Sequence, residues 1–414
     1  MTRLLLAALA LSLAVPAVAQ PHVTTTREAP AGGTDLASLG SGGVVAAMPT
    51  LDSPFLSNPA HIATGGFTLN VLGVTAGAGG NVSEVMAFYT DELSPAIEEG
   101  LETIREEDPD RLEALYDEAL RVGSQPKTAD LGVFAPSVRM AFGPAAVGVG
   151  VYGQSVTRGR IRDGGAGIPY VDLYSQADVA VPLVAGVDLA KTPLGAALPF
   201  GLRAGASATV LQRRITAKAA TVDALDPDDE KLYVFRGDAV RLAAGLFATD
   251  VAVRGLDVGA EVSNVGSGID YAFDRSVAVA GSDEMADDLA EVAALEARFD
   301  GRETAPVVRL GVAYRLPEFQ GFTGGGVAVD YTTAATSDYD QSMQAGLRAG
   351  AHVRLGGMLE LRGGVSQGMP SAGAALITRV ARLEYATYGV EDGRLLGQLR
   401  RRNHVVQVRF GLFR

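Results

Sequence analysis

The chain has 414 residues and a formal net charge of −13, with 47% hydrophobic residues, 20% charged residues, 51 glycines and no cysteine. The absence of cysteine excludes disulfides, thiol catalysis and thiolate metal sites. The acidic balance, with only four lysines, argues against nucleic acid as a direct partner, because binding to the phosphate backbone depends on lysine and arginine.

The N-terminus predicts a secretory signal peptide over residues 1–19. Arg3 supplies the positive charge, residues 4–15 form a short apolar core, and residues 17–19 are the small residues that precede cleavage. No run of about 18 apolar residues follows, so the sequence predicts no transmembrane helix. An exported chain that is apolar overall, but never in one block, is typical of a β-barrel in the outer membrane of a Gram-negative cell.

Residues 20–64 show no regular pattern, because glycine pairs interrupt them and the segment ends in Pro54-Phe55-Leu56-Ser57-Asn58-Pro59-Ala60. An apolar, irregular segment has to be buried in a place that satisfies its backbone groups. We therefore predict a hatch over residues 20–64 that plugs the barrel lumen. A disordered leader is the alternative for residues 20–40.

Residues 66–78 predict the first strand, and the period then changes. Leu93, Ile97 and Leu101 are spaced four apart, which predicts an amphipathic helix with Ser94 as its N-cap. Asp108-Pro109 predicts the start of a second helix. The two form an acidic insert over residues 91–122, interpreted either as a lid or docking arm, or as an ordinary long extracellular loop.

Period-two alternation dominates the rest of the chain. In residues 343–355 every odd position is apolar or small and every even position is polar or glycine. After a glycine turn, residues 359–366 continue the alternation, which predicts a β-hairpin. Strands of this kind recur to the C-terminus, interrupted by a second helical insert over residues 282–299.

The predicted fold class is all-β: a transmembrane antiparallel β-barrel of about 14 strands over residues 65–414, with an N-terminal hatch and two helical loop inserts. One face of its strands carries no charge and the other carries arginine and glycine. The predicted lumen-facing charges are Arg203, Arg241, Arg309, Arg348, Arg354, Glu360, Arg362 and Arg409. Two interpretations stay open: a basic interior that guides an anion or the carboxylate of an amphipathic ligand, or pairing with acids on neighbouring strands.

No catalytic site, metal site or cofactor is predicted, and the protein is not expected to be an enzyme. Residues 364–368 match G-x-S-x-G, but a nucleophile elbow requires a strand, a sharp turn and a helix. Here the motif lies between two period-two segments. The four histidines share no metal-ligand spacing.

Several segments resemble a known group of barrels. Gly42-Gly43-Val44 and the Asn58-Pro59-Ala60 motif, followed by a strand, resemble the hatch of FadL-type (fatty-acid-transporter-like) outer-membrane barrels. Residues 383–388 and the basic run at 400–402 are similar to the TraF-like branch associated with conjugal transfer, and residues 261–266 look like PorV-type barrels. The resemblance implies a 14-stranded barrel, with Phe55, Asn58, Pro59 and Ala60 as hatch residues near a ligand.

These patterns together favour a porin-like outer-membrane channel or transporter for hydrophobic or amphipathic small molecules, surrounded by the lipid bilayer. One alternative is a secretion- or conjugation-associated barrel that docks protein partners through its helical inserts. Another alternative is a secreted, soluble β-protein.

Overall fold

The computed structural model describes residues 35–163, 169–221, 231–266, 269–278, 292–293, 306–318, 321–333, 343–391 and 400–413. The predicted signal peptide, residues 20–34 of the predicted hatch, and all of the 282–299 insert except residues 292–293 lie outside these ranges.

Seventeen β-segments run along the described chain, and all their pairings are antiparallel. In chain order, β1 to β17 span Thr68–Gly79, Lys127–Phe134, Ser137–Phe142, Ala145–Val149, Tyr152–Asp163, Pro169–Asp188, Gly201–Thr221, Lys231–Thr249, Leu256–Gly266, Asp270–Ala278, Val307–Arg315, Phe322–Thr332, Leu347–Leu355, Leu359–Ser366, Met369–Ile377, Ala381–Glu391 and Arg400–Leu412.

The segments close into a barrel because β1 pairs with β17 over most of its length. Three pairs of consecutive segments each act as one interrupted wall strand. Both β2 and β3 pair with β1, both β4 and β5 pair with β6, and both β9 and β10 pair with β8. The seventeen described segments therefore make fourteen wall strands, which confirms the predicted barrel and its strand number.

The hairpin predicted over residues 343–366 forms, with one correction at its start. Met343–Gly346 is a helical turn, α7, so the strand begins at Leu347 and not at Met343. The pairing runs from Arg348 opposite Ser366 to Leu355 opposite Leu359. The G-x-S-x-G residues lie at another hairpin, where Gln367 and Gly368 have positive φ values of 55° and 71° and join β14 to β15. This is the geometry of a two-residue hairpin turn and not of a nucleophile elbow.

The outer face of the barrel is apolar, as alternation predicts. Large hydrophobic side chains are exposed on neighbouring strands all around the wall, such as Val179, Val210, Val240, Val312, Val329, Leu361 and Val408. Aromatic residues Phe142, Tyr314 and Phe410 are exposed near one end, where the chain turns in two or three residues between β3 and β4 and between β15 and β16. An apolar band with aromatic residues at its edge is the surface of a barrel that crosses a membrane, and a secreted soluble protein would not expose it.

The end with short turns faces the periplasm in barrels of this kind, and the longer loops face outward. We call the two ends the short-turn end and the long-loop end. Among the described residues, no helix is long and apolar enough to span a membrane.

The acidic insert at the long-loop end contains four α-helices between Val82 and Gly123. Its helices are α3 (Val82–Phe88), α4 (Ser94–Glu99), α5 (Leu101–Glu107) and α6 (Pro109–Gly123). The predicted N-cap at Ser94 is wrong, because Tyr89–Leu93 already form a π-helical turn that leads directly into α4. The predicted cap at Asp108 is confirmed, since its carboxylate accepts the backbone N–H of Arg111 at 3.1 Å.

Candidate functional site

The described part of the hatch, residues 35–64, contains α1 (Leu36–Gly40), α2 (Ser53–Leu56) and a 3₁₀ helix at Pro59–Thr64. Asp35 caps α1 by accepting the backbone N–H of Ser38 at 3.1 Å. The Thr50 hydroxyl donates to the same carboxylate at 2.6 Å. Because these short helices contribute few hydrogen bonds of their own, the hatch depends on contacts with the wall.

Wall glycines allow the hatch backbone to approach the barrel. On eight strand segments an inward-facing glycine lies so close to the hatch that a Cβ atom would overlap it: Gly148, Gly186, Gly205, Gly245, Gly259, Gly311, Gly350 and Gly364. At Gly364, for example, a Cβ would lie 2.5 Å from the carbonyl carbon of Ser41. The glycines that alternate with arginine in the sequence therefore form the surface against which the hatch packs, which we call the seat of the hatch. Strand periodicity alone does not reveal this role.

Buried polar groups hold the hatch at two further sites. The Asp330 carboxylate accepts the backbone N–H groups of Val45 and Ala46 at 2.6 and 2.7 Å. Both terminal nitrogens of Arg409 donate hydrogen bonds to the Asp52 carboxylate, one of them at 2.6 Å, and neither side chain is exposed. Such a two-pronged pair fixes geometry as well as charge.

The four predicted hatch residues occupy two different environments. Asn58 is fully buried, donates to the carbonyl oxygens of Ala46 and Leu246, and accepts the backbone N–H of Ala60. Pro59 and Ala60 are buried against the wall at Gly205. Phe55 is half-buried and its ring centroid lies 6.0 Å from that of Tyr152. Of these four, Phe55 alone lines the cavity above the hatch.

Most of the eight predicted charges have partners on the lumen side of the wall. Arg203 lies 3.4 Å from Asp188, and Arg309 lies 2.9 Å from Glu261. Glu360 lies 2.7 Å from both Arg354 and Arg362, and Arg362 continues to Glu384 at 2.8 Å. This last group is a ladder of alternating charge across β13, β14 and β16. Arg348 instead donates to the hatch, to the carbonyl of Gly43 at 3.1 Å.

A cavity of about 530 Å³ lies between the hatch and the long-loop end of the barrel. Its floor includes Leu39, Gly43, Phe55 and Leu56. Three of the predicted charges line this cavity, namely Arg241, Arg309 and Arg348. The other predicted arginines lie elsewhere on the lumen surface: Arg203, Arg354, Arg362 and Arg409. Arg158 and Arg401 also line the cavity and were not predicted. The alternation in β17, with Arg400 and Arg402 outward and Arg401 inward, was the signal that could have found Arg401.

Two ionisable hatch groups have shifted pKa values. Burial, followed by the nearby Asp52 carboxylate, raises the pKa of Asp35 to about 6. Burial lowers the pKa of His61 to about 3, so its ring is neutral near pH 7, with Nδ1 2.8 Å from the Ser53 hydroxyl. Within the described part of the chain, no three metal-binding side chains lie close enough together to hold an ion.

No protein-family model and no curated protein matches this chain. Solved barrels are similar to it. The toluene transporter TodX of Pseudomonas putida is 12% identical with a TM-score of 0.49, covering 92% of this chain and 97% of that one. The toluene transporter TbuX of Ralstonia pickettii is 11% identical with a TM-score of 0.48, covering 92% and 98%. The translocator domain of the autotransporter NalP from Neisseria meningitidis is 7% identical with a TM-score of 0.35, covering 84% and 89%.

Proposed function

We propose that this protein is an outer-membrane channel that takes up small hydrophobic or amphipathic molecules through the cavity above the hatch. The observation that carries the proposal is a cavity of about 530 Å³ that is bordered by the wall and the hatch. Sites for small molecules in proteins have volumes of about 300–1,000 Å³. The cavity therefore has the size of a binding site for one small molecule.

The lining favours an amphipathic anion over a neutral polar solute. The cavity is lined by five arginines and three acids, namely Arg158, Arg241, Arg309, Arg348, Arg401, Asp35, Asp130 and Glu261. Apolar side chains, including Leu39, Val45, Phe55, Val156 and Val405, lie among them. A carboxylate can bind the arginines while an apolar body contacts the hatch.

Uptake by cells with and without the protein tests this function, with three probes of similar size: an aromatic carboxylate, a neutral monoaromatic hydrocarbon and a small sugar. We expect faster uptake of the first two and no change for the sugar. The variant Arg158→Gln/Arg241→Gln should slow the carboxylate and leave the hydrocarbon unchanged. Arg354→Gln, a lumen arginine that does not line the cavity, is the matched control. Equal uptake of all three probes would contradict the proposal.

Phe55 lies where the cavity approaches a break between strand segments of the wall, which the Ala135 N–H still bridges by donating to the Val151 carbonyl at 3.0 Å. β2 and β3 are separated at residues 135–136, and the neighbouring β4 and β5 at residues 150–151. Phe55 contacts Tyr152 at this level. Outside the barrel, an apolar groove of about 350 Å³ is lined by residues that include Val147 and Leu183. These features support sideways release of an apolar molecule from the cavity into the membrane.

Substitution of Phe55 tests this route. Phe55→Ala should raise the uptake rate of the hydrocarbon several-fold, and Phe55→Trp should lower it, because the side chain fills the space between cavity and wall. Leu39→Ala removes a similar apolar group from the cavity floor away from the break, and should have a much smaller effect. The same response to Phe55→Ala and Leu39→Ala would argue against a route past Phe55.

A second candidate function is the docking of a basic partner protein in secretion or conjugation, through the helical insert. Residues 81–126 contain thirteen acidic and three basic residues, and the three arginines pair within the insert with Glu102, Glu99, Glu84 and Glu118. Most of its carboxylates are therefore exposed without a cationic partner in the insert. Replacing six exposed glutamates of the insert by glutamine should reduce secretion or conjugation and spare uptake, if docking is the function.

A further inference from the structure

Two arginines and one histidine project from the outer surface of the barrel on β17. Arg400, Arg402 and His404 are exposed, whereas the alternate residues Arg401, Asn403 and Val405 are buried on the lumen side. Toward the short-turn end the same outward row continues as Val406, Val408, Phe410 and Leu412, all exposed. The lipid-facing row of this strand thus changes from apolar to basic at one point.

The change occurs at the height of the membrane boundary. Arg402 lies ten residues before Leu412 on β17, which corresponds to about 33 Å along a strand that rises about 3.3 Å per residue. Because strands in such barrels are tilted by about 35–45°, this length spans about 25 Å along the membrane normal. This is the height of the apolar band in such barrels. Arg402 is therefore level with the lipid headgroups of the long-loop side, and Arg400 lies just above it.

The contacts of these side chains hold them along the wall. Arg402 donates to the carbonyl of Pro370 at 3.2 Å and to the Thr387 hydroxyl at 3.4 Å. The Tyr385 hydroxyl lies 2.8 Å from Nδ1 of His404, which leaves Nε2 as the second polar atom of the ring. Among the described residues neither Arg400 nor Arg402 forms an ion pair, whereas lumen arginines such as Arg362 and Arg409 are paired with acids.

We propose that Arg400, Arg402 and His404 form a binding site for the phosphate group of a membrane lipid in the leaflet at the long-loop side. Arginine presents forked donors that match phosphate oxygens. Alternate residues on one face of a strand are about 7 Å apart, so the three side chains can converge on one headgroup. The apolar row below them accommodates the acyl chains of the same lipid.

Because the chain contains no tryptophan, a single introduced tryptophan reports the local lipid. Val406→Trp places the probe two residues from His404, at a position that is 44% exposed and opposite Tyr385. Val329→Trp, 50% exposed on β12, is the matched control elsewhere on the wall. Both variants are reconstituted in phosphatidylcholine vesicles that contain brominated phosphatidic acid, which quenches tryptophan on contact.

We expect phosphatidic acid to be preferred over phosphatidylcholine about tenfold at position 406, and not at position 329. Adding Arg400→Gln, Arg402→Gln and His404→Gln to Val406→Trp should abolish the preference, and Arg400→Lys/Arg402→Lys should keep most of it. Heat-modifiable migration on gels verifies that each barrel is folded.

Equal preference at positions 406 and 329, or an unchanged preference in the triple glutamine variant, would overturn the proposal. Inorganic phosphate and a poly-glutamate peptide are added as competitors. If millimolar inorganic phosphate alone removes the preference, the site binds free phosphate and not a lipid. If position 406 responds to the peptide but not to phosphatidic acid, the site binds an acidic protein instead.

Discussion

The lumen has two levels that differ in how the wall uses its inward face. At the level of the hatch, the inward positions are glycines and buried ion pairs, and the hatch backbone occupies the remaining space. At the level of the cavity, the inward positions carry side chains such as Ser207, Thr209 and Arg241 that border open space. One alternating sequence pattern thus produces a tightly packed plug and a cavity within the same barrel.

The two levels differ in their tolerance of substitution. A packed interior responds to an added methyl group or an unpaired charge, because neighbours cannot move away and water cannot enter. A cavity can accommodate either change. We therefore expect substitutions at the hatch level to alter the free energy of hatch opening, and those at the cavity level to alter ligand uptake.

The largest effect is expected from breaking the Asp52–Arg409 pair. Asp52→Ala leaves the Arg409 guanidinium buried without its carboxylate, which typically costs about 3–5 kcal/mol. Hydrogen exchange of the amides in residues 41–60 measures the free energy of hatch opening. The double variant Asp52→Leu/Arg409→Leu removes both charges and should recover most of the loss. If Asp52→Ala exchanges as slowly as the native protein, the pair does not hold the hatch.

The next largest effect is expected from adding a methyl group to the lumen face of β14, compared with the outer face of the same strand. Gly364→Ala directs a methyl group into the hatch backbone at Ser41, and we expect a cost of about 1–3 kcal/mol for hatch seating. Gly363→Ala adds the same group on the outer face, where the nearest atom lies 4.0 Å away. Hydrogen exchange of residues 41–60 should be unchanged in this control. Equal responses of the two variants would show that strand propensity, and not hatch contact, determines the result.

Much of this architecture follows from the sequence, because strand periodicity is a local property. Alternation in residues 347–366 predicted the β13–β14 hairpin. Pairing with acids on neighbouring strands was one of the two interpretations left open for the lumen charges, and the ladder of Arg354, Glu360, Arg362 and Glu384 has that arrangement. The start of the strand was wrong by four residues, since α7 has the same alternation of apolar and polar side chains. Alternation alone does not distinguish one helical turn from a short strand.

The seat of the hatch could not be predicted, because it depends on contacts between residues far apart in the chain. Gly259 and Gly350 are ordinary strand glycines in the sequence, and only the closed barrel brings them against Ala46 and Ser41. Asp330 was likewise one acid among many, although its carboxylate binds two hatch amides. The cavity is the space left by this packing and has no sequence signal of its own.

A pH-dependent effect is expected at Asp35, on the boundary between the two levels. Burial raises the pKa of Asp35 to about 6 from its ordinary value of 3.8. The docked hatch therefore binds this proton more tightly than the released hatch. The resulting stabilisation is complete below about pH 4 and is lost as the pH rises through 6. We expect the free energy of hatch opening to fall by about 2 kcal/mol between pH 4 and pH 7.

Asp35→Asn is the matched variant, because asparagine also caps α1 but does not ionise. Hydrogen exchange of residues 41–60, corrected for the intrinsic pH dependence of exchange, should show a flat profile in this variant. A hatch that becomes more stable between pH 4 and pH 7 in the native protein would contradict the raised pKa of Asp35.

The smallest change in the free energy of hatch opening is expected at Ser207, which we compare with Gly205 on the same face of β7. Gly205 lies against Pro59 of the hatch, and Ser207, two residues further along, borders the cavity. Gly205→Ala should weaken hatch seating as Gly364→Ala does. Ser207→Ala should change the free energy of hatch opening by no more than about 0.5 kcal/mol, because its side chain contacts space and not backbone. If hydrogen exchange of residues 41–60 responds equally to both, then the packed level extends beyond the hatch. The cavity would then be part of the plug and not a separate binding level.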